Sequence, residues 1–248
     1  MAVEENESFW YPLDNAAKIF PAITNNERTS VFRISAILKK AVNISALYSA
    51  LHKIEGRFPY YKVKMRKGFF WYYLESDKIT TPIVPDVHDP CRVFNRKSSL
   101  FRVLAKENRL SVEFSHIITD GGGAFEYFQS LLISYFNECG TQLPINHTYL
   151  KPDETPDSEE FEDAYNRYFV DNIPKNPRQR KAFHLPYQTS WPHRFSVLTA
   201  KIPSKAIKKV ASEKNVSITT YLTAVYIHAL QDIYEELKAK GKKRLSQK

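Results

Sequence analysis

The passage from Arg109 to Cys139 constrains this chain most. There a period of two gives way to a period of 3.6 across the nine residues SHIITDGGG, Ser115 to Gly123. Leu110, Val112, Phe114 and His116 share one parity, as a strand with one apolar face requires. Beyond the glycines, Ala124, Phe125, Phe128, Leu131, Leu132, Tyr135 and Phe136 recur at i, i+3, i+4 and i+7. That spacing predicts an amphipathic helix from about Gly121 to Cys139. Parity places the imidazole of His116 at the end of the apolar row, partly desolvated. A reference pKa of about 6.5 suits it to proton abstraction near neutral pH. The glycines allow close backbone approach and φ values closed to other residues, and nearby helix-start N–H groups favour negative charge. A plainer account needs no chemistry. Asp120 is then simply the N-cap of the helix, and His116 a core histidine bonded to a carbonyl.

The same two periods alternate along the chain. Phe32, Ile34, Ala36 and Leu38 mark a strand from Thr29 to Leu38, and Asn43 caps a helix that ends near Gly56. Tyr60 to Arg66 and Gly68 to Glu75 read as a hairpin turning at Lys67-Gly68. A second hairpin, Leu100 to Lys106 with Arg109 to His116, turns at Glu107-Asn108. After Pro144 the character changes. Prolines bracket an acidic segment, Asp153 to Asp163, and a basic patch, Lys175 to Lys181, which reads as an exposed connector. Pattern returns with a strand near Arg194 to Ile202 and helices from Pro203 to Lys214 and Ser217 to about Lys240. Interleaved strands and helices make this an α/β chain, a two-layer sandwich with a mixed β-sheet covered by helices.

At 248 residues with 43% apolar and 14% aromatic content, the chain can bury a globular core. The net charge of +9 is a property of the tail. Lys238, Lys240, Lys242, Lys243, Arg244 and Lys248 hold six positive charges, and without them 30 basic residues face 27 acidic ones, a net +3. Nucleic acid is therefore not an expected partner, although Phe69, Trp71 and Tyr73 fall on one strand face. Cys91 and Cys139 form no pattern, the opening MAVEENES is polar and acidic, and no apolar run nears the ~20 residues of a membrane span. Cytoplasmic placement is expected. His116 and Asp120 lack a third ligand at a usual spacing, so no metal is expected, and Asp86 to Pro90 reads as a turn. Three successive glycines match neither GxGxxG nor a P-loop.

Ser115-His116-Ile117-Ile118-Thr119-Asp120-Gly121 resembles the HxxxDG motif of the chloramphenicol acetyltransferase-like acyltransferases, a superfamily that includes alcohol acyltransferases and condensation domains. Tyr11-Pro12-Leu13-Asp14, Val31 to Ile34, Arg57-Phe58-Pro59 and Gly68 to Leu74 are similar to the bacterial alcohol acetyltransferase-like members. The segments around Val210 and Tyr221 resemble the start of the family's second lobe. The resemblance implies a two-lobed fold with a tunnel between the lobes. Acyl-CoA or an acyl carrier thioester is the co-substrate, and a small alcohol or amine is the acceptor. It implies His116 as the general base. Asp120 points away from the substrate to pair with a basic residue and hold the loop, while Gly121 permits the tight turn. It divides the chain into 1–150, the N-terminal lobe with the motif; 151–190, a connector; and 191–248, the start of a second lobe with the basic tail. Ser115 stands where many relatives carry another histidine. Because the second lobe is truncated, this chain is expected to be inactive by itself. A binding domain that keeps the fold without the chemistry is the alternative.

Overall fold

The structure, a computed structural model, describes residues 9–25, 28–77, 80–86, 90–95, 98–144, 148–174, 185 and 199–240. The opening MAVEENES, the basic patch at Lys175 to Lys181, part of the turn at Asp86 to Pro90, most of the strand expected near Arg194 to Ile202, and the last eight residues lie outside them. In chain order the elements are β1 (Trp10–Pro12), α1 (Phe20–Ile23), β2 (Val31–Ile37), α2 (Ile44–Glu55), β3 (Val63–Lys67), β4 (Tyr72–Ser76), β5 (Ile83–Pro85), β6 (Phe101–Lys106) and β7 (Arg109–Ser115). They continue with α3 (Gly121–Glu138), α4 (Ala164–Arg167), α5 (Ser204–Glu213) and α6 (Ile218–Ala239). The contacts divide the chain into two compact units, 1–171 and 172–248.

The first unit is a mixed α/β structure built on two sheets. The larger has the order β2-β7-β6-β5, antiparallel except for the parallel pair β5 and β6. The smaller is antiparallel, in the order β1-β4-β3. The second hairpin forms where the sequence places it. Lys106 pairs with Arg109, and Glu107 takes the positive φ of 51° that so short a turn demands. The first hairpin is shorter than the aromatic run indicates. Lys67 pairs with Tyr72, so Phe69 and Trp71 lie in the four-residue connection instead of on a strand face with Tyr73. Gly68 N–H donates to Trp71 C=O at 2.7 Å to close that turn, and it leaves Phe69 and Phe70 more than four-fifths exposed.

Helices α2 and α3 cover one face of the larger sheet. Leu47, Leu51 and Ile54 of α2 meet Leu110, Val112 and Phe114 of β7 and Tyr127, Phe128 and Leu131 of α3 in the main core. Asn43 caps α2 as expected, its side chain accepting from the Ala46 N–H at 3.1 Å. One helical position departs from the periodic reading. Phe125 is 56% exposed, and its neighbour Tyr127 is the ring that enters the core. A second cluster, Leu13, Ala17, Val63, Leu74, Leu100 and Ile117, joins the smaller sheet to the end of β7.

The opposite face of β7 is also buried. Glu113 is wholly buried and accepts from Arg33 Nε at 2.8 Å, Arg102 Nε at 2.7 Å and the Cys91 N–H at 2.6 Å. Asp86 lies beside it and accepts from Arg33 and Arg109. Burial of a carboxylate is tolerable because each of its oxygens is met by charge-assisted donors. In the second unit, Asn215 takes a positive φ of 54° between α5 and α6, and Ser217 caps α6 by accepting from the Thr220 N–H.

Candidate active site

β7 is a central strand, and His116 is the residue that follows it. Its backbone N–H donates to Ser30 C=O at 2.9 Å, which fixes the residue across the end of β2. The half-buried imidazole lies against Phe20, with centroids 5.3 Å apart and planes 17° apart, and against Phe32, with centroids at 4.4 Å. Among the described residues neither ring nitrogen meets a hydrogen-bond partner, so aromatic packing sets the ring's orientation. The carbonyl partner of the plainer account is absent among them.

The loop after His116 is pinned from several directions. Ile117 is buried in the second cluster, and Ile118 packs against both clusters. Thr119 Oγ1 and Tyr61 Oη share a hydrogen bond of 3.0 Å. Burial, partly offset by the bond to Thr119, pushes the Tyr61 hydroxyl up to about 12, so it stays protonated at neutral pH. Asp120 Oδ1 accepts from the N–H groups of Gly122 at 2.9 Å and Gly123 at 3.0 Å, which caps α3 and meets two of its orphan donors. No basic partner for Asp120 is found among the described residues.

The close approach in this loop falls at Gly123. A Cβ there would come within 2.4 Å of Thr119 Oγ1 and 2.9 Å of Tyr61 Oη. At Gly121, to which the family resemblance gives the tight turn, a Cβ would meet nothing within 4 Å, and φ lies outside the left-handed range.

Tyr61 is itself supported from the acidic segment that reads as a connector. Glu160 accepts two hydrogen bonds from buried Arg57, at 2.8 and 2.7 Å, and one from Tyr60 Oη at 2.7 Å. Burial alone would raise the Glu160 carboxyl, but the hydrogen bonds from Arg57 and Tyr60 outweigh it and hold the group below the usual carboxylate range. Phe161 lies edge-on to Tyr60, and the Tyr60 ring packs edge-on to Tyr61 at 4.7 Å. Residues 157–161 are thus tied by contact to the ring that holds Thr119. Tyr61, Phe20 and Glu160 carried no motif. Only Thr119, inside HxxxDG, had a signal in the sequence.

A cavity of about 420 Å³ lies next to this turn. Ser115 and Ile117, on either side of His116, line it, but His116 is not among its lining residues. No group of three or more His, Cys, Asp or Glu side chains suited to a metal ion occurs among the described residues. No helix there is long and apolar enough to cross a membrane.

No protein-family model matches the chain, and no curated protein matches it. Several solved structures are similar. The X-domain from teicoplanin biosynthesis is 18% identical, with a TM-score of 0.44 over 60% of this chain and 37% of that one. Polyketide synthase associated protein 5 from Mycobacterium tuberculosis is 16% identical, with a TM-score of 0.42 over 56% and 36%. A variant of the starter condensation domain of rhizomide synthetase, in complex with C8-CoA, is 11% identical, with a TM-score of 0.44 over 55% and 38%. The chain spans less than two fifths of the length of each of these structures.

Proposed function

We propose that this chain carries the base-bearing lobe of a cytoplasmic acyltransferase of the alcohol acetyltransferase-like type. His116 takes the proton of a hydroxyl or amine as that group attacks the thioester carbonyl of an acyl-CoA, acetyl-CoA first among them, or of an acyl carrier. The new C–O or C–N bond forms, the C–S bond breaks, and the leaving thiolate recovers the proton from the imidazolium. A base so placed contributes about 10²- to 10⁴-fold in rate. The observation that supports this most is the imidazole at the end of a central strand, held on two faces by Phe20 and Phe32, with both nitrogens unengaged among the described residues. Asp120 serves the loop and the helix, not proton transfer. An acyl-CoA is also the class of ligand held by the rhizomide condensation-domain variant.

Aligning two substrates requires walls on both sides of the base, and effective molarity supplies about 7–11 kcal/mol in the best cases. A second lobe in the same polypeptide is proposed as the far wall. Thiol release from acetyl-CoA with a panel of alcohols should be negligible for residues 1–248 and measurable for a chain extended through that lobe. His116→Ala in the extended chain should abolish turnover while leaving the circular dichroism unchanged, and full activity there would end the proposed mechanism. The second reading, a binding domain, is favoured by the cavity, whose lining excludes His116.

A further inference from the structure

We propose that the cavity beside β7 is a binding site for an uncharged, largely apolar small molecule that presents one hydrogen-bond acceptor oxygen, with the hydroxyls of Ser115 and Ser30 as its donors. The site lies where the end of the larger sheet meets the smaller sheet and the segment before Leu100. Val31, Met65, Phe94, Leu100 and Ile117 supply apolar wall. Its volume of about 420 Å³ falls within the ~300–1,000 Å³ typical of ligand pockets.

Two independent observations specify the ligand. The first is the fate of the buried hydroxyls. Ser115 is 3% exposed, and its oxygen accepts from the Ile117 N–H at 3.3 Å; Ser30 is 9% exposed, and its oxygen accepts from the Thr24 hydroxyl at 2.8 Å. In both, an oxygen lone pair is used and the O–H has no acceptor among the described residues. A buried donor left unmade is costly, and both line the cavity, so an acceptor oxygen inside it completes them. The second is that no acidic or basic side chain occurs among the described residues of the lining. The Glu113 carboxylate, two residues along β7, is already bound by Arg33 and Arg102. A carboxylate or ammonium ligand would find no counter-ion among the described lining residues, and burying it unpaired is strongly unfavourable. The wall itself is braced, since the Arg102 guanidinium sits 4.6 Å over the Phe94 ring.

This inference does not need His116 to be a base, so failure of the acyl-transfer reading leaves it standing and the reverse also holds. The test is calorimetric titration of the chain with three probes of like shape: 4-phenyl-2-butanone, n-butylbenzene and 4-phenylbutanoate. The ketone should bind more tightly than the hydrocarbon by about 2- to 12-fold for each neutral hydrogen bond it gains, and the carboxylate should not bind. The double variant Ser30→Ala with Ser115→Ala should bring the ketone-to-hydrocarbon ratio close to one while hydrocarbon binding is kept. Val93→Trp, at a half-buried lining position outside the regular elements, should block both neutral probes with an unchanged circular dichroism spectrum. Absence of binding by either neutral probe would overturn the proposal. So would a ketone preference that survives the double variant, or unaltered binding by Val93→Trp.

Discussion

Three glycines follow Asp120, and the structure gives them different duties. A Cβ at Gly123 would enter the space of the Tyr61–Thr119 pair, whereas one at Gly121 would enter open space. Gly123→Ala should therefore destabilise the protein by about 1–3 kcal/mol, the usual cost of overpacking. Gly121→Ala should stay within about 0.5 kcal/mol of the parent. Chemical denaturation followed by tryptophan fluorescence separates the two, and equal losses would contradict the geometry. Asp120→Ala removes an acceptor for two helix N–H groups and should cost about 0.5–2 kcal/mol without any ligand. An unchanged melting midpoint would show that the cap contributes nothing. The placement of His116 on the face of Phe114 was legible, because strand parity is a hard geometric rule. The ring stack with Phe20 was not, because that contact joins residues 96 positions apart with no shared pattern.

At the scale of elements, periodicity located the second hairpin, α2, α3, α5 and α6 closely, since each carries its own signal of capping, turn or stripe. It failed where polar residues are buried. Glu113 and Arg33 alternate with apolar neighbours, and nothing in that alternation tells that their charges satisfy one another inside the fold. Glu113→Ala would leave Arg102 without its carboxylate and Arg33 with Asp86 alone, and should cost about 3–5 kcal/mol, measured by urea denaturation. The acidic segment hid its role in the same way, because the charge that makes it look solvated is what binds Arg57. The folded-state pKa of Glu160 is depressed, so its contribution is present above the ordinary glutamate value of about 4.3 and is lost as pH falls through the folded value. The stability difference between the parent and Glu160→Gln should be constant near neutrality and shrink below about pH 4. A difference independent of pH would mean that the carboxylate charge is not what holds the segment.

For the molecule as a whole, the order β2-β7-β6-β5 has a consequence during synthesis. β6 and β7 are joined by two residues and can pair as soon as they are made. β2 pairs with β7 between Val31 and Ser115, so its partner is synthesised more than 70 residues later. At about 5–20 residues per second, this strand waits on the order of 4–15 s on the ribosome with its hydrogen-bonding edge open. Over that interval Phe32 and Ile34 lack the sheet that later shelters them, and an unpaired apolar strand is a template for other chains. Ribosome-bound nascent chains halted before Arg109 has emerged should therefore recruit holdase chaperones, and chains halted after Ser115 has emerged should release them. The strand that places His116 is also the strand that closes the sheet, so the candidate site and the protection of the newborn chain are completed by the same event.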